Sequence, residues 1–120
     1  MIAVADASWR YAASSEPTLE HIDLAVEPGE AVALCGASGS GKSTVARLLL
    51  RFHDVTDGTL AFGGVDLRDL TQEDLRSHIA YVPQKAWLFS GTIASNLRDG
   101  APGATDEGLW RALDVAQATF

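Results

Sequence analysis

The segment that most constrains this fold is GASGSGKST at residues 36–44, which matches the pattern G-x-x-x-x-G-K-[ST]. Small residues allow such a loop to curl tightly, so that successive backbone N–H groups converge on phosphate oxygens. A helix that begins near Lys42 adds its dipole and further N–H donors. Lys42 is predicted to reach the β- and γ-phosphates, and the Ser43 hydroxyl to ligate Mg²⁺. The predicted phosphate-binding residues are Gly36, Ser38, Gly39, Ser40, Gly41, Lys42, Ser43 and Thr44.

The flanking sequence favours a folded loop over a flexible Gly/Ser linker. Residues 31–35 form a short continuous apolar run, which predicts a strand buried on both faces. Apolar residues then recur with helical spacing at Val45, Leu48, Leu49 and Phe52. A loop between a buried strand and an amphipathic helix favours nucleotide phosphate binding. The loop alone leaves GTPases, small kinases, helicases and transporter ATPases open.

The rest of the chain alternates short strands and helices. Residues 27–30 predict a turn, because proline and glycine stand at its second and third positions. Thr71 predicts the N-cap of a helix that ends near Ser77, and Thr105 that of a helix running to about Ala118. β-Branched and apolar spacing predicts strands at residues 2–11, 19–26, 59–62 and 79–82. This order predicts an α/β fold with a helical part that begins near residue 85.

Composition excludes several classes of protein. The 120 residues include 9 Lys or Arg and 16 Asp or Glu, a net charge of −7, which argues against a nucleic-acid partner. An apolar content of 47% is typical of a globular chain. No apolar run approaches the roughly 20 residues that a membrane-spanning helix needs. The single cysteine, Cys35, excludes a disulfide framework and is predicted to be a small buried residue.

Further features give residues 2–120 a resemblance to a known family. Tyr11 precedes the phosphate loop, and Pro-Gly-Glu at 28–30 leads into its strand. The segments IAYVPQ and LFSGTIASNL follow at residues 79–84 and 88–97. With these motifs the chain resembles the N-terminal half of the nucleotide-binding domain of ABC transporters. The last segment resembles that of exporters in particular.

The resemblance implies ATP and Mg²⁺ as cofactors. Tyr11 would stack on adenine, although an aromatic at a strand end is also a common core residue. Gln84 would contact Mg²⁺ and the attacking water, which would make it a catalytic residue together with Lys42. It would also couple the nucleotide state to the membrane domain. The alternative for Gln84 is a loop glutamine without a role.

The fold that the resemblance implies is an incomplete α/β P-loop NTPase core of the ABC ATPase type. Residues 1–84 would form its antiparallel β part and phosphate-loop part, and residues 85–120 the exit of the Q-loop and the start of a helical subdomain. The remainder of the domain is expected outside these 120 residues. The implied partners are a second nucleotide-binding domain, in a homo- or heterodimer, and coupling helices of a transmembrane domain that contact region 84–97. This arrangement implies the cytoplasmic face of the cell membrane.

Residues 87–89, Trp-Leu-Phe, are expected either to pack on the helical part or to contact a coupling helix.

The family's apolar strand ending in Asp-Glu does not occur in the sequence, so the chain alone is not expected to hydrolyse ATP. Its incomplete sheet predicts weak stability or self-association. Two alternatives remain. One is a stand-alone nucleotide-binding half-domain, and the other a small P-loop kinase, for which Arg98 and Arg111 form no evident lid.

Overall fold

The computed structural model describes residues 1–119, which belong to two compact units, Met1–Tyr81 and the residues from Val82 onward. The first unit contains an antiparallel sheet in the order β2-β1-β3-β4. Its strands are β1 (Ile2–Trp9), β2 (Leu19–Val26), β3 (Asp57–Phe62) and β4 (Val65–Asp66). Its helices are α1 (Lys42–Leu49) and α2 (Gln72–His78), with a 3₁₀ helix at Leu67–Asp69. The second unit contains α3 (Ile93–Gly100) and α4 (Asp106–Val115).

A bulge in β1 decides which of its side chains enter the core. Val4, Ala7 and Trp9 are buried, so the inward spacing departs from the period of two between Val4 and Ala7. The register shifts there, and Asp6 adopts a φ of 48°. Across the bulge, Gly58 has a φ of 78°, and a Cβ on it would lie 2.3 Å from the Asp6 carbonyl oxygen. The bulge therefore requires glycine at this position and turns Trp9 inward.

The core of the first unit joins the sheet to both helices. Leu75 of α2 is the most deeply buried large side chain, and Val45 and Leu48 bury one face of α1. The buried core residues are Val4, Ala7, Trp9, Leu19, Val45, Leu48, Leu60, Leu67 and Leu75. The phosphate-loop segment is therefore followed by a helix that is anchored on the sheet.

Most of the locally encoded elements are confirmed. Three of the five predicted strands form, with β1 ending at Trp9 and β3 beginning at Asp57. The turn at residues 27–30 is closed by a Glu30 N–H that donates to the Glu27 carbonyl at 3.0 Å. Thr71 caps α2 and Thr105 caps α4 through their hydroxyls, as predicted, although α4 ends at Val115 rather than near Ala118.

Two predicted strands were wrong. Residues 31–35 and 79–82 have no regular secondary structure, and neither segment pairs with a strand among residues 1–119. A strand exists only through hydrogen bonds to a neighbour, and apolar composition alone does not supply one. Residues 31–35 are exposed, so Cys35 is exposed and its predicted burial was also wrong. Phe52 lies beyond the end of α1 and is exposed, so it does not extend the buried face of that helix.

Candidate functional site

The glycine-rich segment lies directly at the N-terminus of α1. Gly41 is the N-cap residue, and its carbonyl accepts a hydrogen bond from the Val45 N–H at 3.1 Å. The N–H groups of the first helical turn, from Lys42 to Thr44, have no acceptor within the helix, as at any helix start. Together with the helix dipole, they form a local environment that favours an anion.

Gly41 meets two separate constraints. Its φ of 96° lies in the left-handed region, where a side chain is strained. A Cβ at this position would lie 2.6 Å from Cδ2 of Leu19 and 3.3 Å from the Thr18 carbonyl oxygen. The close contact shows that the start of β2 packs directly against the phosphate loop.

The ammonium group of Lys42 is bound by the loop itself. Nζ donates to the carbonyl oxygens of Gly36 at 2.6 Å and Ala37 at 2.7 Å, and to Oγ of Ser40 at 3.1 Å. These three acceptors match the three donors of an ammonium group. Lys42 therefore closes the loop from within and places a positive charge at its centre.

The loop lines an open cavity of about 320 Å³. Ser43 is exposed at this site, whereas Thr44 is buried against the core. The lining residues are Thr18, Ser38, Gly39, Gly41, Lys42, Ser43 and Thr44. All the predicted phosphate-binding residues thus lie in one local site, since Gly36 and Ser40 bind the Lys42 ammonium. Sequence reasoning missed Thr18, which reaches the cavity only through tertiary packing.

Tyr11 follows β1 and is partly exposed, at 43%, whereas Trp9 is buried in the core at 6%. The two rings meet edge to face, with centroids 4.4 Å apart. Nη1 of Arg47, on α1, donates to the Tyr11 hydroxyl at 3.5 Å. Part of the Tyr11 side chain is therefore accessible to a ligand, while its ring contacts Trp9 and its hydroxyl contacts Arg47 in the same unit.

Gln84 lies in an exposed bend of the second unit, and its predicted contact with Mg²⁺ stays a prediction. Beyond it, Trp87, Leu88 and Phe89 are exposed, at 82%, 78% and 63%. Asn96 of α3 holds this segment. Its Oδ1 accepts from the Phe89 N–H at 2.7 Å, and its Nδ2 donates to the Phe89 carbonyl at 3.0 Å.

The perturbed titratable groups lie outside the phosphate loop. Hydrogen bonds from Arg68 lower the pKa of Asp66 to about 2, and Asp66 in turn raises the pKa of the Arg68 guanidinium. The Asp6 carboxylate, 2.6 Å from Nδ1 of His21, raises the pKa of that imidazole. Asp66 also caps the 3₁₀ helix, and the Asp6–His21 pair bridges β1 and β2 at the bulge. These shifts therefore reflect structural ion pairs.

Residues 1–119 contain no cluster of three or more His, Cys, Asp or Glu side chains that could hold a metal ion. Mg²⁺ in proteins commonly takes hydroxyl oxygens and oxygens of a bound phosphate as ligands, and the loop offers the Ser43 hydroxyl. None of the described helices is both long enough and apolar enough to cross a bilayer.

Comparison with known proteins decides the family. A sequence profile described as ABC transporter matches residues 19–119. The chain belongs to the ABC transporter family. The match covers the phosphate loop, Gln84 and the exporter-like segment, and it confirms the resemblance that the sequence motifs indicate.

Individual relatives agree with the family match. An uncharacterized ABC transporter ATP-binding protein of Mycobacterium bovis is 42% identical over 121 residues, covering 98% of this chain and 21% of the relative. A multidrug efflux ATP-binding/permease protein of Mycobacterium tuberculosis is 49% identical, covering 86% of this chain and 9% of the relative. A mesentericin-Y105 transport/processing ATP-binding protein of Leuconostoc mesenteroides is 43% identical, covering 84% of this chain and 14% of the relative. The chain spans about a fifth or less of these relatives.

Proposed function

We propose that this chain binds ATP together with Mg²⁺, as the N-terminal part of the nucleotide-binding domain of an ABC exporter. The observation that carries the proposal is the phosphate loop at the start of α1, with the Lys42 ammonium at its centre. An anion with several oxygens fits this arrangement, because it can accept both from the backbone N–H groups and from the ammonium.

Each site residue has a distinct role in this proposal. Lys42 would neutralise charge on the β- and γ-phosphates, and the exposed Ser43 hydroxyl would ligate Mg²⁺. The Tyr11 ring stacks on the base. Gln84 would offer its amide oxygen to Mg²⁺ and to the attacking water, as the family resemblance implies. Mg²⁺, when bound, compensates phosphate charge as phosphoryl transfer proceeds.

The exporter assignment rests on the segment at residues 84–97. Trp87, Leu88 and Phe89 form an exposed apolar surface, a common property of protein interfaces. We assign this surface to coupling helices of a transmembrane domain, and the site as a whole to a dimer with a second nucleotide-binding domain. Relatives whose names include multidrug efflux and mesentericin-Y105 transport support the assignment to an exporter. The domain would then work at the cytoplasmic face of a membrane.

Hydrolysis is assigned to the whole protein and not to these 120 residues alone. Transfer of a phosphoryl group to water needs a second acid that organises Mg²⁺ and a group that positions the water. The sequence contains no apolar strand ending in Asp-Glu that could supply the acid. The present residues therefore bind and orient the nucleotide, with Lys42 and Gln84 as the catalytic contributors.

Titration with Mg-ATP in a calorimeter tests the proposal, with Lys42→Ala as the decisive variant. We expect at least about a tenfold loss of affinity, because hydrogen bonds to a charged group contribute about 1.5–3 kcal/mol. Arg111→Ala, which removes the same charge from the exposed surface of α4, is the matched control and should bind normally. Equal affinities of the protein and the Lys42→Ala variant would contradict the proposal.

A further inference from the structure

Three rings from two parts of the chain form a compact aromatic cluster in the first unit. His53, just beyond α1, stacks on Trp9 with centroids 4.8 Å apart and planes inclined by 28°. Tyr11 meets Trp9 edge to face at 4.4 Å and also lies near His53, at 6.5 Å. Trp9 is therefore held between the strand that carries it and the segment that follows α1. The Tyr11 ring packs against Trp9 beside His53, so all three rings lie in one cluster.

Arg47 links the same ring to α1 directly. Its guanidinium donates to the Tyr11 hydroxyl at 3.5 Å. Arg47 lies five residues after Lys42 on one continuous helix, about 7.5 Å along the helix axis. The hydroxyl of Tyr11 is thus connected through a single rigid element to the residues that surround the phosphate cavity.

The chain around Tyr11 is also fixed at its base. The Thr18 N–H donates to the Trp9 carbonyl at 2.9 Å, which closes the loop between β1 and β2. Thr18 itself lines the phosphate cavity. Within the loop, the Ser14 N–H donates to the Tyr11 carbonyl at 2.9 Å. The backbone of Tyr11 and the phosphate loop are therefore held in one framework.

We propose that Arg47 and His53 are positioning residues that fix the Tyr11 ring relative to the phosphate loop, and so determine how strongly the protein recognises the base of a nucleotide. The inference rests on the proposed function, because it assumes that Tyr11 stacks on the base. It adds two residues that bind neither the base nor the phosphates. They act through the orientation of Tyr11, His53 by way of Trp9 and Arg47 by way of the hydroxyl.

The physical basis is preorganisation. A tyrosine in a loop without regular structure must be ordered when a base stacks on it, and this ordering opposes binding. Contacts that hold the ring before the ligand arrives remove that cost. The effect should appear only for ligands that have a base, because a phosphate chain alone does not contact Tyr11.

The test compares Mg-ATP with magnesium tripolyphosphate, which has the phosphates but no base, in calorimetric titrations of the protein at its natural length. Arg47→Met and His53→Ala should each lower the affinity for ATP about threefold to tenfold, and leave that for tripolyphosphate within about twofold. His53→Phe preserves the stacking on Trp9 and should restore ATP binding. Trp9 is not replaced, because it belongs to the core.

A double-mutant cycle with Tyr11→Phe separates the hydroxyl contact from other effects of Arg47. Tyr11→Phe keeps the ring but removes the acceptor, so Arg47→Met should cause no further loss in that background. Two results would overturn the positioning role. One is an equal loss of affinity for ATP and for tripolyphosphate in the Arg47→Met or His53→Ala variant. The other is a loss of ATP affinity on Arg47→Met that is as large in the Tyr11→Phe background as in the unchanged protein.

The two proposals fail in different ways. If Lys42→Ala leaves tripolyphosphate binding unchanged, the phosphate-loop function is wrong, and the positioning role falls with it. If tripolyphosphate binding depends on Lys42 while Arg47→Met and His53→Ala bind ATP normally, only the positioning role is wrong.

Discussion

At the scale of the residue, the phosphate loop shows what a contiguous motif encodes and what it omits. Residues 36–44 contain both the flexible backbone and the Lys42 side chain, so the sequence predicts their joint location. The sequence does not predict that Leu19 and Thr18 pack against Gly41, because that contact depends on where β2 begins in space. Arg47 and His53 were missed for the same reason.

Gly41→Ala should destabilise the fold more than the backbone strain of an alanine with positive φ alone would. The new Cβ would meet Leu19 at 2.6 Å, in addition to the strain of a φ of 96°. We expect the free energy of unfolding in urea to fall by at least about 2 kcal/mol. Gly29→Ala is the matched control, because Gly29 has a φ of 79° and nothing within 4 Å of a new Cβ.

Gly29→Ala should therefore show the backbone cost alone, about 1 kcal/mol. Similar losses of unfolding free energy in the two variants would show that the Leu19 contact contributes nothing.

At the scale of the element, the correct predictions concern helices and strands that are encoded by residues close together in the chain. α2 was predicted because Thr71 and the residues after it encode a capped helix within one turn. β1 and β2 were predicted because they are neighbours in the chain and form an antiparallel pair. The strands predicted at residues 31–35 and 79–82 failed because a strand also needs a partner, and the identity of a partner is not written in the segment itself.

Thr71→Ala should destabilise the first unit through α2. The Thr71 hydroxyl accepts from the Asp74 N–H at 3.1 Å, and the helix it caps buries Leu75 in the core. Loss of the cap should lower the free energy of unfolding by about 1 kcal/mol. Chemical denaturation measures the change.

Thr71→Ser keeps the hydroxyl and serves as the control for that measurement. If Thr71→Ser loses as much unfolding free energy as Thr71→Ala, the threonine methyl group rather than the cap explains the effect.

At the scale of the whole molecule, the chain exposes large apolar surfaces in both units. Val32 and Leu34 are exposed in the first unit, and Trp87 and Leu88 in the second. Such surfaces associate when they meet, because burial removes apolar area from water. The sequence predicts this property only indirectly, through the absence of partner strands for otherwise apolar segments.

The 120-residue chain should self-associate as its concentration rises. Sedimentation equilibrium should give an average mass that increases above the 12.7 kDa of the single chain. The double variant Trp87→Ser and Leu88→Ser should shift association to higher concentration, since both side chains are large, apolar and mostly exposed. Val65→Ser, at an exposed position of β4, is the control. A mass that stays at 12.7 kDa at every concentration would refute the prediction.

Because the phosphate loop already binds the Lys42 ammonium, a ligand must replace existing hydrogen-bond acceptors of Lys42 when it binds. Two carbonyls and a hydroxyl already accept from the ammonium group, so an incoming anion must compete with them. A monovalent anion can replace only part of these three hydrogen bonds, whereas a chain of phosphates provides several strong acceptors at once. The loop should therefore bind a phosphate chain in strong preference to a monovalent ion such as chloride.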